Sequence, residues 1–464
     1  MKKTLLLFSL FGIVVLNPFR AIAQEFPNTL TIFDEAVFYG MYGATVDDTH
    51  PVPPGSIRNS NSSYGYKLTE DQIASIGNKL TMTVTLRARC DNYDRIGNVN
   101  LAFVPKGQTT YDYNEVKKIE LGRYITPFMN MHIDMEVPYV FEIDNVAQIL
   151  HDEELASEYD FWIEFEVYGY QGGPGQGGAA VEIEGCSDRI DVYEGKLELT
   201  TDIDPEIDDV PNFLLPFTHK YELKDYTLEG TDVLGETVRT IGFTVTEEIT
   251  NARFYIITSN HGANNGGEEY IRRNHFIYLD EEQLLVYKPG GVSCVPFFQY
   301  NTQPSCIYYD CSQNPITPRP DVNAAWSWNN WCPGDKIPIR VVAMGNLSVG
   351  EHSFKIDVPD AVFADDQGYF PMSVFLQGDS GDAHLEVKDF SIAEYSISPN
   401  PTSGIATING NDAVKNVTVF NSLGQKVWEG KSNTIDMTSL QSGIYIATIN
   451  FEGGKTATSK LVKN

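Results

Sequence analysis

The chain of 464 residues lacks the features that mark nucleic-acid-binding and membrane-spanning proteins. Basic residues are scarce: 33 Lys and Arg stand against 63 Asp and Glu, which gives a formal net charge of -30 at pH 7. Phosphate backbones and anionic lipid repel so acidic a protein, and nucleic-acid binding is not expected. Beyond the N-terminal segment no stretch reaches 18 consecutive apolar residues, so no membrane-spanning helix is predicted.

Closely spaced pairs of metal ligands are also missing. The six cysteines form no C-x-x-C pair, and the eight histidines form no H-x-H or H-x3-H pair. These absences argue against a structural zinc site, a thioredoxin-like redox site and a copper site, so no metal or other cofactor is expected. The acidic run at 202–209 fits no EF-hand loop and is typical of a solvated linker.

The N-terminus has the layout of a secretory signal peptide. Lys2 and Lys3 precede an apolar run over residues 4–16, and residues 21–23 supply a small-residue cleavage site. We therefore predict that residues 1–23 are removed and that the mature chain is exported. In an exported protein the cysteines are expected to form disulfides, although their number leaves fifteen pairings open.

Strand patterns dominate the rest of the chain. Residues 80–90 alternate apolar and polar side chains, which predicts a half-buried antiparallel strand, and residues 161–168 show a second alternation. Only residues 145–159 have a helical pattern, and we expect a short connecting helix there. Short strands between Gly, Pro and Asn favour β-sandwiches, so the predicted fold class is all-β. The predicted parts are an N-terminal sandwich (24–199), an acidic linker (200–211), a second sandwich (212–392) and a C-terminal module (393–464).

The C-terminal module differs in composition from the rest, with five acidic residues against six lysines. Its motifs at 395–404, 417–425, 440–445 and 460–463 resemble, in order, the C-terminal sorting domain of type IX secretion cargo. The resemblance implies a small β-sandwich that the type IX secretion machinery recognises. It also implies export through the periplasm of a Gram-negative bacterium, to the medium or the cell surface. A carbohydrate-binding β-module is the alternative.

Four features outside this module could carry chemistry. Asp94 and Arg95 follow the strand at 80–90, where a sandwich commonly presents catalytic groups, although the residue pattern alone favours an Asx-turn with a surface ion pair. Glu166 lies on the polar face of the second strand, which could also be a solvated outer face. Glu269 follows a Gly- and Asn-rich stretch that is first of all a turn former. Three tryptophans form either an aromatic core or a sugar-binding face: Trp326, Trp328 and Trp331.

Taken in order, these segments resemble the peptide-N-glycosidase F family, bacterial amidases that remove whole N-linked glycans from asparagine. The similarity spans roughly residues 28–385 and rests on separate blocks. The blocks are 90–95 (CDNYDR), 122–127 (GRYITP), the strand around Glu166 and Tyr168, Glu269-Tyr270 with Arg273 and His275, 311–316 (CSQNPI) and 331–334 (WCPG). The resemblance implies two jelly-roll sandwiches side by side, with the active site at their interface.

The resemblance also assigns roles to residues of this chain. Asp94 takes the place of the essential carboxylate, and Glu269 and Glu166 take the places of two supporting glutamates. Arg95 matches the arginine beside that aspartate, and Tyr168 stands where the family has a substrate-stacking tryptophan. Three further residues complete the predicted substrate-binding set: His261, Trp328 and Trp331.

The implied reaction is hydrolysis of the amide bond between asparagine and N-acetylglucosamine in an N-glycoprotein or glycopeptide. It needs an activated water, a polarised carbonyl and a proton for the leaving amine, and it requires no metal. We expect Asp94 to contact the first sugar and to position or activate the water, with Glu269 as its partner. Glu166 is expected to hold the peptide through a water, and the enzyme is expected to be a monomer.

The chain departs from the family at several positions. Gly267 and Ile271 stand where the family has a pair of cysteines around its second glutamate. Trp328 stands where it has an arginine, for which Arg272, Arg273 or Arg319 could substitute. The matched blocks imply a Cys311–Cys332 disulfide, which leaves Cys294–Cys306 and Cys90–Cys186 as the other two pairs.

Two other functions fit the same scaffold. One is a secreted glycan-binding protein or adhesin with an inactive site, which the substituted arginine favours and the three retained carboxylates disfavour. The other is a copper monooxygenase, because the peptidylglycine-hydroxylating enzymes share the double sandwich. The missing histidine pairs argue against it.

Overall fold

The computed structural model describes residues 26–40, 46, 49–172, 178–207, 212–303, 309–310, 317–318, 330–380, 393–410, 413–421, 425–452 and 456–464. Its strands fall into three groups along the chain, each around a hydrophobic core of its own. The first group comprises β1 (Asn28–Tyr39), β2 (Ser56–Ser60), β3 (Ser63–Lys67), β4 (Lys79–Ala88), β5 (Ile96–Pro105), β6 (Lys117–Ile125), β7 (Val137–Glu142), β8 (Tyr159–Val167) and β9 (Asp191–Asp202). Four short helices accompany it: α1 (Glu70–Ala74), α2 (Asp144–Leu150), α3 (Glu153–Glu158) and α4 (Ala179–Glu182).

The second and third groups contain the remaining strands. The second comprises β10 (Asn212–Leu223), β11 (Val238–Val245), β12 (Ile249–Thr258), β13 (His275–Leu279), β14 (Glu282–Tyr287), β15 (Tyr309–Asp310), β16 (Thr317–Pro318), β17 (Lys336–Ile337), β18 (Arg340–Leu347), β19 (Gly350–Asp357) and β20 (Phe370–Ser380). It also has two 3-10 helices, Val295–Tyr300 and Ala364–Asp366. The third comprises β21 (Ala393–Ser398), β22 (Ile405–Gly410), β23 (Val414–Asn421), β24 (Lys426–Gly430), β25 (Thr434–Asp436), β26 (Gly443–Phe451) and β27 (Thr456–Lys463).

The first group forms a sandwich of two antiparallel sheets. A four-stranded sheet in the order β1-β9-β4-β7 packs against a six-stranded sheet in the order β17-β6-β5-β8-β3-β2. The core between them includes Phe33, Met82 and Phe165, all buried. The edge strand β17 comes from the second half of the chain, because Lys336 pairs with Tyr124 and Ile337 with Arg123. The two halves are thus joined by a shared sheet.

The second group forms another sandwich beside the first. One sheet has the order β10-β20-β12-β18, and the other begins β14-β13-β19-β11 and continues through β21-β22-β25 into the third group. The third group is completed by a sheet in the order β24-β23-β26-β27. The fold is therefore all-β, with two side-by-side sandwiches and a small C-terminal sandwich, as the sequence predicted. The residue boundaries drawn for these parts stay predictions.

The two alternating segments turn out differently in the structure. In β4 the apolar residues from Leu80 to Leu86 are buried and the polar residues between them are partly exposed, as predicted. In β8 the alternative of a solvated outer face is wrong, because Glu164 and Glu166 are both buried. The strand lies in the middle of its sheet, and lysines cover its polar face: Lys118 pairs with Glu164 and Lys220 with Glu166.

The helical pattern at 145–159 corresponds to two short helices, α2 and α3. Asp152 separates them and caps the second one, since its Oδ1 accepts hydrogen bonds from the N–H groups of Glu154 and Leu155. Among the described residues, no helix has the length and apolar character needed to span a membrane.

Two disulfides are present in the described part of the chain. One joins Cys90 and Cys186, the pair assigned to them from the sequence. The other joins Cys294 and Cys332, so the pairings Cys311–Cys332 and Cys294–Cys306 are wrong. Cys294 directly precedes the 3-10 helix Val295–Tyr300, which packs with Phe128 against the segment around Cys332 and brings the two sulfurs together. Cys306 and Cys311 lie outside the described residues.

Candidate functional site

Asp94 lies in the loop between β4 and β5, and a buried carboxylate organises that loop. Asp91 is fully buried and accepts hydrogen bonds from the backbone N–H groups of Tyr93 (3.0 Å) and Tyr170 (2.7 Å). It also pairs with the guanidinium of Arg95, with 2.8 Å between Nε and Oδ2. The loop is thus an Asx-turn with an ion pair, but the pair is internal and not at the surface. Arg95 is held by the protein before any substrate arrives.

Thr126, just after β6, fixes the other side of this loop. The N–H of Arg95 donates to Thr126 Oγ1 (2.7 Å), and the N–H of Thr126 donates to the carbonyl of Arg95 (2.8 Å). The Thr126 hydroxyl donates in turn to the carbonyl of Tyr93 (3.0 Å). Because the residues on both sides of Asp94 are bonded in this way, its carboxylate is presented from a rigid backbone.

The charge of Glu269, in the second sandwich, acts on Asp94 in the first. Burial, and then the negative charge of Glu269, raises the pKa of Asp94 to about 7, against the opposing effect of Arg95. Burial also raises the pKa of Glu269, although a hydrogen bond from the N–H of Gly262 to Oε2 (3.4 Å) counteracts this. Near neutral pH the pair therefore retains a proton that isolated carboxyl groups would lose. Two carboxyl groups with separated pKa values can divide the roles of acid and base.

Tyr270 belongs to the same cluster. Its hydroxyl hydrogen-bonds to the carboxylate of Glu269, and burial together with the charges of Glu269 and Asp94 raises the pKa of Tyr270. The phenol is therefore neutral and can donate a hydrogen bond at the pH where the carboxyl pair titrates. The sequence placed Tyr270 in a matched block but gave it no role.

Glu166 has partners of its own, different from those of Asp94 and Glu269. It lies in β8 opposite Ser63 and Asn98, and its carboxylate pairs with Lys220 Nζ (2.7 Å) and accepts a hydrogen bond from the Tyr113 hydroxyl. Burial alone would raise the pKa of Glu166, but the charge of Lys220 and these hydrogen bonds lower it below the ordinary value. Glu166 is therefore ionised at neutral pH.

A cavity of about 750 Å³ opens beside Glu166, between the two sandwiches. Tyr113, Tyr168 and Lys220 line it together with Glu166, and Phe217 lines it from the second sandwich. The backbone N–H of Tyr168 donates to the carbonyl of Ile96 (3.0 Å), just beyond the Asp94 loop. The end of β8 is thus attached to the start of β5, although the direct bonds of Glu166 go to Lys220 and Tyr113.

Trp331 and His261 form a buried aromatic contact near Glu269. The Trp331 indole N–H donates to the carbonyl of Asn260 (3.0 Å), and its ring lies 5.9 Å from that of His261. His261 Nε2 hydrogen-bonds to Ser259 Oγ (2.8 Å), and burial followed by the charge of Arg123 lowers the pKa of His261 to about 3. The imidazole is neutral, and the Trp331 ring packs against Ile125, Ile257 and Ile337. Trp326 and Trp328 lie outside the described residues.

The arginines considered as substitutes at the site have other bonds. Arg273 pairs with Glu268, with 2.8 Å between Nη2 and Oε1. Arg272 donates to three backbone carbonyls, with its shortest bond to Pro289 (2.6 Å). Arg319 lies outside the described residues. Within the described ranges no cluster of three or more His, Cys, Asp or Glu could hold a metal ion.

Sequence reasoning missed the buried network that holds the two sandwiches together. Arg123 is fully buried and pairs with Glu120, with 2.6 Å between Nη2 and Oε2. It also donates to Ser259 Oγ (2.9 Å) and to the carbonyl of Pro371 (2.6 Å), both in the second sandwich. The available signal was the pair of charged residues, Glu120 and Arg123, among the apolar residues of β6, since a buried charge must find a partner. Its partners could not be read from the sequence.

Comparisons with known families cover most of the described chain. Residues 29–171 match the family model described as Peptide-N-glycosidase F, N terminal, and residues 231–377 match its counterpart, Peptide-N-glycosidase F, C terminal. Residues 396–464 match the Secretion system C-terminal sorting domain. A search of curated proteins gave no match.

Solved structures show a similar fold at low identity. The structure of PNGF-II in space group P21 has a TM-score of 0.54 and 19% identity, and its C2 form has 0.53 and 17%. The alignments cover 77% and 78% of this chain and 66% of PNGF-II in each case, slightly less than two thirds. A crystal structure of peptide-N(4)-(N-acetyl-beta-D-glucosaminyl) asparagine amidase has a TM-score of 0.48 and 14% identity, covering 76% of this chain and 97% of that one.

Proposed function

Because the chain belongs to the peptide-N-glycosidase F family, we propose that it is a secreted amidase for N-glycoproteins or glycopeptides. It hydrolyses the amide bond between the asparagine side chain and N-acetylglucosamine, releases the intact glycan and leaves aspartate. The match of residues 396–464 to a sorting domain supports export, with the type IX secretion machinery as a partner.

The observation that carries this proposal is the pair formed by Asp94 and Glu269. Amide hydrolysis needs a base for the attacking water and an acid for the leaving nitrogen, and an ordinary carboxyl group at neutral pH cannot be that acid. The pKa of Asp94, raised to about 7 by burial and by Glu269, supplies both forms of one carboxyl group at neutral pH. Pairs of this kind occur most often where proton transfer is part of the function.

In the proposed reaction Asp94 contacts the first sugar and positions the water, with Glu269 as its partner. The water oxygen forms a bond to the carbonyl carbon while its proton passes to the carboxylate pair. The C–N bond then breaks, and the leaving glycosylamine nitrogen takes a proton from the same pair. Each proton removed from water is thus returned to the products, and no redox partner is involved.

Glu166 and Tyr168 are proposed to act on the substrate from the neighbouring cavity. Because Lys220 keeps Glu166 ionised, Glu166 accepts hydrogen bonds and does not donate them, which suits a water-mediated contact to the peptide. Tyr168 is proposed to stack on a sugar or peptide group, and Arg95 to support the first sugar. Trp328, Trp331 and His261 remain proposed contacts of the substrate.

A mass measurement tests the activity. The purified protein is incubated with an N-glycosylated peptide in heavy-oxygen water, and the masses of peptide and glycan are determined. Release of an intact glycan with labelled aspartate in the peptide is the expected result. One sugar left on the peptide means cleavage between the core sugars and contradicts the proposal. Binding without any mass change, across high-mannose, complex and fucosylated substrates, favours the glycan-binding alternative.

A further inference from the structure

Glu269 lies in the long loop between β12 and β13, and the side-chain amide of Asn330 is hydrogen-bonded to the backbone of that loop. Nδ2 of Asn330 donates to the carbonyls of Glu268 (2.8 Å), Glu269 (2.8 Å) and Ile271 (3.2 Å). The backbone N–H of Asn330 also approaches the carbonyl of Glu269 (3.4 Å). Only a donor can satisfy three carbonyl oxygens, so the orientation of this amide is fixed by its surroundings.

Asn330 is itself attached to a rigid part of the molecule. It is buried, and it directly precedes Trp331, whose indole N–H is bonded to the carbonyl of Asn260. Next comes Cys332, which the disulfide ties to Cys294. The amide that holds the Glu269 loop therefore belongs to a segment that is cross-linked covalently and through an aromatic side chain. Movement of Asn330 relative to the second sandwich is restricted on both counts.

A buried ion pair supports the same loop from its other side. Glu268 is fully buried and pairs with Arg273 through both carboxylate oxygens, with Nε–Oε2 at 2.9 Å and Nη2–Oε1 at 2.8 Å. Its Oε1 also accepts a hydrogen bond from the N–H of Val362 (2.7 Å). Neighbouring residues in an irregular segment project in different directions. Glu268 can therefore anchor the loop inward while the carboxylate of Glu269 is bonded to the N–H of Gly262 and to the Tyr270 hydroxyl.

The loop has no cross-link of its own where one could have been expected. Gly267 and Ile271 flank Glu268 and Glu269, and neither is a cysteine. A Cβ added at Gly267 would lie 1.9 Å from the carbonyl oxygen of Gly262, so the loop in this conformation has no room for a side chain there. At these two positions the restraint on Glu269 is consequently non-covalent, and Asn330 supplies hydrogen bonds to three of the loop carbonyls.

We infer that Asn330 is a positioning residue, which holds the Glu269 carboxylate beside Asp94 through the backbone of the loop. The inference rests on the proposed function in so far as Glu269 takes part in catalysis. Asn330 touches no reacting atom; its role is to fix the distance between two carboxyl groups that lie on different sandwiches. Asp94 and Tyr270 are the titratable groups that interact with Glu269 in this arrangement.

The kinetic test compares Asn330→Ala with the unmodified protein. We expect kcat to fall about 100-fold, the loss typical of a catalytic group displaced by about 1 Å, while KM changes less than about threefold. The pH midpoint that reports Asp94 in the kcat/KM profile should move to lower pH, because a more distant Glu269 no longer raises the pKa of Asp94. Loss of stability alone would lower the active fraction and leave the pH midpoint unchanged, and that result would overturn the inference.

Asn301→Ala is the matched control. Asn301 is also buried and donates its amide to two backbone carbonyls, those of Phe297 and Pro333, which lie outside the Glu269 loop. We expect it to lower the thermal unfolding midpoint as Asn330→Ala does, with kcat and the pH midpoint retained. If both variants shift the pH midpoint equally, the effect comes from the whole cross-linked segment, and the role assigned to Asn330 is wrong.

A measurement without substrate separates this inference from the proposed function. Hydrogen–deuterium exchange over residues 259–274 should accelerate at least about tenfold in Asn330→Ala and stay unchanged in Asn301→Ala. Unchanged exchange in both variants refutes the inference even if the protein is an active amidase. If exchange accelerates in Asn330→Ala but the unmodified protein releases no glycan, the proposed amidase activity is refuted. The role of Asn330 in holding the loop is then retained. Arg273→Lys, which keeps the charge opposite Glu268 but loses the fork, serves if Asn330→Ala does not fold.

Discussion

At the level of single residues, the properties of Asp94 come from its surroundings more than from its chemical type. The carboxyl group of an aspartate in water has a pKa of about 4. Burial and the charge of Glu269 raise the pKa of Asp94 to about 7. The same environment that makes it useful as an acid and base also makes its ionised form unfavourable in the folded state. Function and stability therefore oppose each other at this position.

Asp94→Asn should abolish glycan release and stabilise the protein above neutral pH. Since the folded pKa lies above the unfolded one, ionisation of Asp94 destabilises the unmodified fold progressively between about pH 4 and pH 7. Asp94→Asn lacks this ionisable group. Its free energy of unfolding should therefore exceed that of the unmodified protein by at most about 4 kcal/mol at pH 8, and the difference should vanish below about pH 4. Urea unfolding of both proteins at pH 4 and pH 8 measures it. Retained turnover, or a variant that is less stable at pH 8, contradicts the role given to Asp94.

Lys220→Met should destabilise the protein at pH 7 more than at pH 4. Lys220 Nζ lies 2.7 Å from Glu166, and its charge lowers the pKa of that buried carboxyl group. With the pair intact, Glu166 contributes stability above its unfolded pKa and loses it as pH falls through the folded one. Without Lys220, burial raises the pKa instead, and the charged form costs roughly 1–3 kcal/mol at pH 7. Lys196→Met at the exposed pair with Glu198 is the control, with no change expected.

Several residues of the proposed site carry a signal in the sequence and several do not. Asp94, Glu269 and Glu166 are proposed because short blocks resemble a family, and in the structure the charge of Glu269 raises the pKa of Asp94. Lys220 carries no such signal. It sits at a left-handed backbone position (φ 49°) in a bulged strand, and only folding brings it to Glu166. Asn330 likewise acts through backbone carbonyls, which no residue pattern reveals.

At the level of elements, alternation predicted strands well but not what covers them. β4 has one face on the core and one partly exposed, so alternating side chains and alternating burial agree. β8 has the same alternation of side chains, yet both of its faces are buried because Lys118 and Lys220 cover the glutamates. A period of two reports two chemically different faces, and it does not report which of them meets water.

The Cys294–Cys332 pairing gives an element-scale prediction. Peptide mapping without reduction should find these two cysteines in one cross-linked fragment, separate from a Cys90–Cys186 fragment. Replacing Cys294 and Cys332 together by serine should lower the free energy of unfolding by about 2–4 kcal/mol, since a 38-residue separation is no longer closed in the unfolded chain. A fragment that joins Cys332 to Cys311 would show this pairing to be wrong.

At the level of the whole molecule, the contact between the two sandwiches includes a buried polar network beside apolar residues. Glu120 and Arg123 reach from the first sandwich to Ser259, Pro371 and Ser373 of the second. Asp94 and Glu269 belong to different sandwiches, so their separation depends on this contact. The fold class and the presence of two sandwiches followed from the sequence, whereas this contact did not, because it joins residues more than a hundred positions apart.

Arg123→Ala should weaken the contact between the sandwiches and reduce activity together. Removal of the guanidinium leaves Glu120 buried without its partner, a change that typically costs about 3–5 kcal/mol. Scanning calorimetry should show a lower unfolding temperature, and glycan release should fall because Asp94 and Glu269 are no longer held together. Arg87→Ala removes an exposed pair with Glu136 and should leave both measurements unchanged. Full activity in Arg123→Ala would contradict this view of the interface.

The two-residue strand β17 is synthesised after all the other strands of the sheet to which it belongs. It closes the edge of β6, yet the ribosome makes residues 336–337 long after residues 117–125. A first sandwich that folds before residues 336–337 are available lacks the partner of β6, and an unpaired strand edge is open to other extended chains. A chain that ends before residue 336 lacks the strand that pairs with β6 in the complete protein. Chaperones of the export route would be needed at that stage, and a nascent chain stalled there should be the form most prone to misassembly.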